Sequence, residues 1–287
     1  MVIENVFEST DGNLTIRQAN ARFVKQDHEC QQVISKLREI ETFLERFGFL
    51  TFGRDFVFGS PGQKIMFFSL NNVMTSLELT MGSVITCCES ACIADANTLL
   101  RKYRDDLFFY LYVSVYSSHY KYSEEGKPMA DQIMRWLNND LSDFRISEVL
   151  KAIGTVPQLR DAVLKYNLKE SFQKIGEALN NYVHSNGYAY YNRNANAYKE
   201  SVLSVELRKL GDKARYITVV FLFLLIFCSP LSVMSEDYID FLDVNEIPPK
   251  NSQYWVAPFV EHFVKENISL IDANCLDYLR KNTLMQF

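Results

Sequence analysis

Between Tyr216 and Met234 the chain runs for 19 residues without a charge, and few structures can hold such a run. It is close to the length that crosses a bilayer as a helix, and it is also what the central helix of a large helical core looks like. Lys209, Lys213 and Arg215 precede it, and Glu236 and Asp237 follow. As a single span of 216–234 in an inner membrane, that asymmetry would leave the N-terminal part in the cytoplasm. Thr218, Ser229, Pro230 and Ser232 dilute the run and favour the core helix. Both readings stand at this level.

The rest of the chain reads as helix. Breakers are scarce, with 11 Gly and 7 Pro in 287 residues, while apolar residues make up 48% and aromatics 14%. That content excludes a disordered chain and can fill one large core or two modest ones. Val33, Leu37, Ile40, Leu44 and Phe47 repeat at three and four, as an amphipathic helix over 30–47 requires. Ser60-Pro61-Gly62-Gln63 has the order of a capped helix start, predicting a helix through Met66, Leu70, Met74 and Leu77 to about 88. Leu100, Tyr103, Leu107, Leu111 and Ser114 line a stripe of a second long helix over 91–119, mostly buried. Shorter helices follow over 129–139, 147–153 and 157–165. A further one starts with capping-box spacing at Asn167 and ends near His184, and a long one runs from about 196 into the uncharged segment. Residues 258–267 and a short final helix close the chain. Phe47, Phe49, Thr51, Phe56 and Phe58 alternate around Gly53-Arg54-Asp55, which predicts a short hairpin, whereas residues 1–30 are polar and weakly patterned. The fold class is all-α: a multi-helix bundle with a short N-terminal β-hairpin and a C-terminal helical extension. Its divisions fall at 1–60, 61–234 and 235–287, the last an aromatic segment that docks on the body, with 248–287 the surface for a protein partner.

Net charge is -5 with a pI near 5.5, which argues against a generally basic, nucleic-acid-coating surface and leaves room for a local patch. Six cysteines lie at 30, 87, 88, 92, 228 and 275. None forms a C-x-x-C pair, so buried thiols in a reducing compartment are expected and no metal site. The first residues lack the basic and apolar regions of a secretory signal, which points to the cytoplasm. No phosphate-cradling glycine loop, nucleophile elbow or zinc-protease pattern occurs, so no cofactor is expected.

Two groups of residues could carry chemistry. Asn180 and His184 sit four apart near a helix end, with Asn181 beside them, so the first two share a face. The negative end of a helix favours a charged imidazole there, suited to holding a phosphate or moving a proton; its ordinary alternative is a histidine bonded to a terminal carbonyl. The other group is Leu99-Leu100-Arg101-Lys102-Tyr103-Arg104-Asp105-Asp106, charges set in an otherwise apolar helix. They either pair at a helix crossing or turn an arginine toward His184, where its planar fork would grip phosphate. Tyr188, Tyr190 and Tyr191 either stack on bases or pack a loop.

An arginine-bearing helix of the form Leu99-Leu100-Arg101…Asp105, followed by a helix ending Asn180-x-x-Val183-His184-Ser185, resembles the HEPN superfamily of helical bundles over roughly residues 60 to 190. The resemblance implies a bundle of four or more helices, commonly paired as a homodimer. It also implies a metal-independent ribonuclease acting on RNA as a prokaryotic toxin or antiviral effector. His184 takes the histidine of the family motif and Asn180 its polar position. The motif arginine would fall at Leu179, Ala178 or Glu177, none of them basic, so Arg101 or Arg104 substitutes from another helix or the fold is kept without the activity. The phrases Leu99–Phe108 and Gln253–Phe259 are also similar to a group of bacterial helical proteins, a likeness that supplies no activity. A non-catalytic helical scaffold and a membrane-associated effector are the alternatives.

Overall fold

The computed structural model describes residues 15–51, 54–58, 66–121, 123–140, 145–183 and 200–287. Among these it forms twelve α-helices and one two-stranded sheet, an all-α bundle as the periodicity requires. In chain order the elements are α1 (Ile16–Gln26), α2 (His28–Leu50), β1 (Asp55–Phe58), β2 (Met66–Ser69), α3 (Leu70–Glu89), α4 (Ile93–Val115), α5 (Lys127–Leu137), α6 (Ile146–Ile153), α7 (Pro157–Lys165), α8 (Leu168–Val183), α9 (Glu200–Cys228), α10 (Asp237–Asp243), α11 (Pro258–Asn267) and α12 (Cys275–Asn282).

The uncharged run is the second half of α9, and it is the core. From Ile217 to Cys228 no residue is more than 4% exposed, which marks a helix enclosed on every side by α2, α4 and the C-terminal segments. The expectation of a bilayer span over 216–234 is corrected here. The helix stops at Cys228, Ser229 leaves helical geometry and Pro230 opens a separate short turn. Among the described residues no helix is long and apolar enough to cross a membrane. After Val115, α4 widens into a π-helical turn over Tyr116–Tyr120, and His119 Nε2 lies 3.2 Å from the Cys228 carbonyl. Against a carbonyl the ring nitrogen must donate, so His119 closes one of the open carbonyls at the end of α9.

Two boundaries differ from the sequence reading. The helical period of α2 continues past residue 47, with Phe47 fully buried and Phe49 69% exposed, so these residues belong to a helix and not to a strand. The hairpin instead pairs β1 with β2 antiparallel, Val57 opposite Phe67 and Phe56 opposite Phe68. Phe68 turns inward, edge-on to Phe109 at 5.4 Å, while Phe67 faces out. Phe67 out and Phe68 in is a strand alternation, and α3 therefore begins at Leu70. The capped start read at residues 60–63 and the Gly53 turn lie outside the described residues.

A helix also stands where no pattern was legible. In α1 only Val24 is buried, too little to give a periodic signal. Its start is nevertheless written in Thr15 and Gln18, which form both arms of a capping box. Asp27 ends α1 and caps α2, accepting from the Cys30 amide at 2.8 Å; that hydrogen bond holds its carboxyl below the usual range.

The C-terminal segment packs on the body. Met234 and Val256 form an antiparallel bridge, Trp255 and Gln286 a parallel one. Phe263 of α11 stacks on Phe43 of α2 at 4.5 Å. All six cysteines are free; burial pushes the Cys30 and Cys275 thiols up to about 11 and Cys228 to about 12, which leaves them unreactive.

Candidate functional site

The charges of α4 first satisfy one another. Arg104 is buried, and its Nε and Nη2 both donate to Asp105 Oδ1, at 3.0 and 2.8 Å. Arg101 Nε reaches the other oxygen of Asp105 at 3.4 Å. One carboxylate thus serves two guanidinium groups along the same helix. Lys102 pairs with Asp106 at 2.5 Å and donates to Thr80 at 3.2 Å. Burial nonetheless holds the Asp106 carboxyl above its ordinary range, with Lys102 opposing.

Helix α8 crosses this group. Leu168, Phe172, Gly176 and Leu179 form its buried stripe, and Phe172 meets Phe108 of α4 edge-on at 4.6 Å. At the crossing, Gly176 carries no side chain because Arg104 occupies the space: a Cβ there would lie 2.8 Å from Nη1. One turn further on stands Asn180, half-buried, whose Oδ1 is shut from solvent and, among the described residues, accepts no hydrogen bond. The N-terminal half of α6 supplies a third wall.

These three helices enclose a cleft of about 620 Å³. Arg104, Gly176 and Asn180 line it together with Phe172 and Leu150, while Lys151 and Lys169 stand exposed at its edge. Glu177 is the one acidic residue among the lining residues described, and it accepts from Gln173 at 3.0 Å.

The structure therefore brings Arg104 and Asn180 to one cleft. Arg101 and Asp105 do not line it; they stand behind Arg104 as parts of its charge network. His184 and the tyrosines 188, 190 and 191 lie outside the described residues. Sequence reading missed Lys151, Lys169 and the role of Gly176. The signal for the glycine was available, since a glycine inside a strong helical pattern most often marks a close approach. The lysines carried no signal, because single exposed lysines on helices are ordinary.

Chemically, the cleft presents one planar fork held in place, two flexible ammonium groups and one acceptor without a donor among the described residues. The cations suit a phosphate. Comparison with protein-family models, with curated proteins and with solved structures finds no match for this chain. What the fold and the site define is a helical bundle with a cationic cleft between α4, α6 and α8.

Proposed function

We propose that this chain is a HEPN-like RNA-binding effector of a prokaryotic toxin or antiviral system, and that the cleft between α4 and α8 receives the RNA backbone. The observation that carries the reading is the shared position of Arg104 and Asn180. Arg104 comes from a different helix and stands beside the polar position of the motif that lacks its own arginine. In this reading Arg104, Lys151 and Lys169 hold the phosphodiester, Asn180 keeps the polar position of the motif beside Arg104, and the ribose 2′-hydroxyl, the group by which proteins tell RNA from DNA, is the nucleophile. His184, four residues beyond Asn180 in the sequence, takes the 2′-hydroxyl proton. The 2′-oxygen attacks phosphorus, the bond to the 5′-oxygen breaks, and that oxygen takes a proton from water, leaving a 2′,3′-cyclic phosphate and a free 5′-hydroxyl without a metal.

The test is expression of wild type against His184→Ala and Asn180→Leu, with growth and total RNA followed together. Wild type is expected to slow growth and cut RNA, and both variants to fold with unchanged helical circular dichroism and spare it. A folded His184→Ala protein that cuts equally well removes the histidine from the chemistry.

A second reading, a non-catalytic scaffold, is favoured by the two hydrogen bonds that Arg104 donates to Asp105, an ion pair that neutralises the guanidinium before any ligand arrives. Its partner surface would include Ile247, 93% exposed, and Leu284, 69% exposed. Loss of partner capture in Ile247→Asp, with RNA left intact by wild type, decides for the scaffold.

A further inference from the structure

A second cleft, sharing no lining residue with the first, lies between α2, α9 and α11 and measures about 840 Å³. At its base is Arg215, half-buried on α9 and without an ion pair among the described residues. Its Nε donates to Asn267 Oδ1 at 2.9 Å. Asn267 is itself buried, and its Nδ2 donates to the Phe263 carbonyl at 2.8 Å. Both ends of that amide are thus used to hold the guanidinium, and the amide carries no charge. Arg215 is aimed but not neutralised, which is costly for a half-buried cation unless an anion joins it.

The surroundings keep the same sign. Lys36 makes no ion pair among the described residues, and Arg46 lies over the Phe259 ring at 4.8 Å, where a guanidinium keeps its edge donors free. Arg38 is already paired with Glu89 and His262 stands 3.4 Å from Glu266, so neither adds to the excess. Against the three cations without an ion pair among the described residues stand Glu39 and Glu266, an excess of one positive charge. Part of the lining is aromatic, with the Phe43 ring in contact with both Phe259 and Phe263. Volume, charge excess and ring wall together describe a site for a small molecule with a polyanionic end and a flat apolar body.

We propose that this cleft binds a nucleoside diphosphate, with its phosphates on Arg215, Lys36 and Arg46 and its base against the phenylalanine wall. The proposal does not rest on the RNA reading of the other cleft. It is tested by calorimetric titration of the full chain with ADP and, separately, with inorganic pyrophosphate. ADP is expected to bind one to one and about tenfold more tightly than pyrophosphate, the ring wall supplying the difference. Arg215→Gln should weaken ADP by about tenfold or more, as loss of a charge-assisted pair requires. Circular dichroism checks its fold. If Arg215→Gln does not fold, the exposed Lys36→Glu carries the test, with a several-fold loss expected. Absence of ADP binding by wild type, equal affinity for ADP and pyrophosphate, or undiminished ADP binding by either folded variant overturns the proposal.

Discussion

Arg104 fills the place of a side chain on Gly176: its Nη1 lies 2.8 Å from where a Cβ would be. The two residues are far apart in sequence, and their contact sets how closely α8 approaches α4 at the candidate site. The guanidinium is the far end of a long side chain, but Asp105 holds it from the other side. Gly176→Ala thus sets two effects of similar size against each other. Alanine gains about 1 kcal/mol of helix propensity, and displacing the guanidinium costs about 1.5–3 kcal/mol of charged hydrogen bonding. A net loss of about 1 kcal/mol is expected by urea denaturation, with weaker RNA binding if the cleft is an RNA site. Gly176→Leu leaves no room at all and should lose about 1–3 kcal/mol to overpacking.

Asp105 is the residue on which both arginines depend. Asp105→Asn leaves the buried Arg104 without its carboxylate. Breaking a fully buried pair costs about 3–5 kcal/mol; because the Asp105 side chain keeps 31% of its exposure, a loss of about 2–3 kcal/mol is expected at pH 7. The same change removes the charge that neutralises Arg104. If the cleft is an anion site, the folded variant binds an RNA oligonucleotide more tightly than wild type at low salt. Unchanged affinity would take Arg104 out of the binding surface.

Much of this arrangement was legible in the sequence, because helices announce themselves by period. The stripes of α2 and α4 follow from apolar spacing, and the starts of α7 and α11 from their prolines. The run from Tyr216 fitted two solvents equally well, lipid and protein, until the break after Cys228 and the enclosing helices were seen. Residues 66–69 were read as helix because four residues carry too little period to separate a strand from a helix turn. The cleft was not legible for another reason. Arg104 and Asn180 meet only through the crossing of α4 on α8, and nothing local to either residue encodes that crossing.

Glu78 on α3 gives a pH signature. Burial raises its carboxyl above the ordinary 4.5, and Glu45 and Glu41 add to the rise. A raised carboxyl binds its proton more tightly in the folded chain. Its favourable contribution is therefore complete below the unfolded pKa and is lost as pH rises through the folded one. At pH 7 the ionised group is a cost, since like charges on facing helix surfaces repel by a few tenths of a kcal/mol. Glu78→Gln should raise Tm at pH 7 by roughly 1–2 °C and give no gain at pH 3.5. A gain of the same size at both pH values would mean that charge is not its cause.

Thr218, a polar residue in the buried half of α9, has a defined task. Its hydroxyl donates to the Ala214 carbonyl at 2.8 Å, so its one proton is used. The Tyr103 hydroxyl, 2.8 Å away, must then be the donor to Thr218 Oγ1. Both residues are fully buried, and the two deletions are not equivalent. Tyr103→Phe removes a donor and leaves Thr218 bonded to its own helix, at a cost of about 0.5–1.5 kcal/mol. Thr218→Val preserves shape but strands the tyrosine O–H in hydrocarbon, at about 1–3 kcal/mol. Adding Tyr103→Phe to Thr218→Val should therefore recover stability in urea denaturation, because no buried donor is left unmatched. Additive losses in the double variant would show that the tyrosine finds another acceptor when Thr218 is gone.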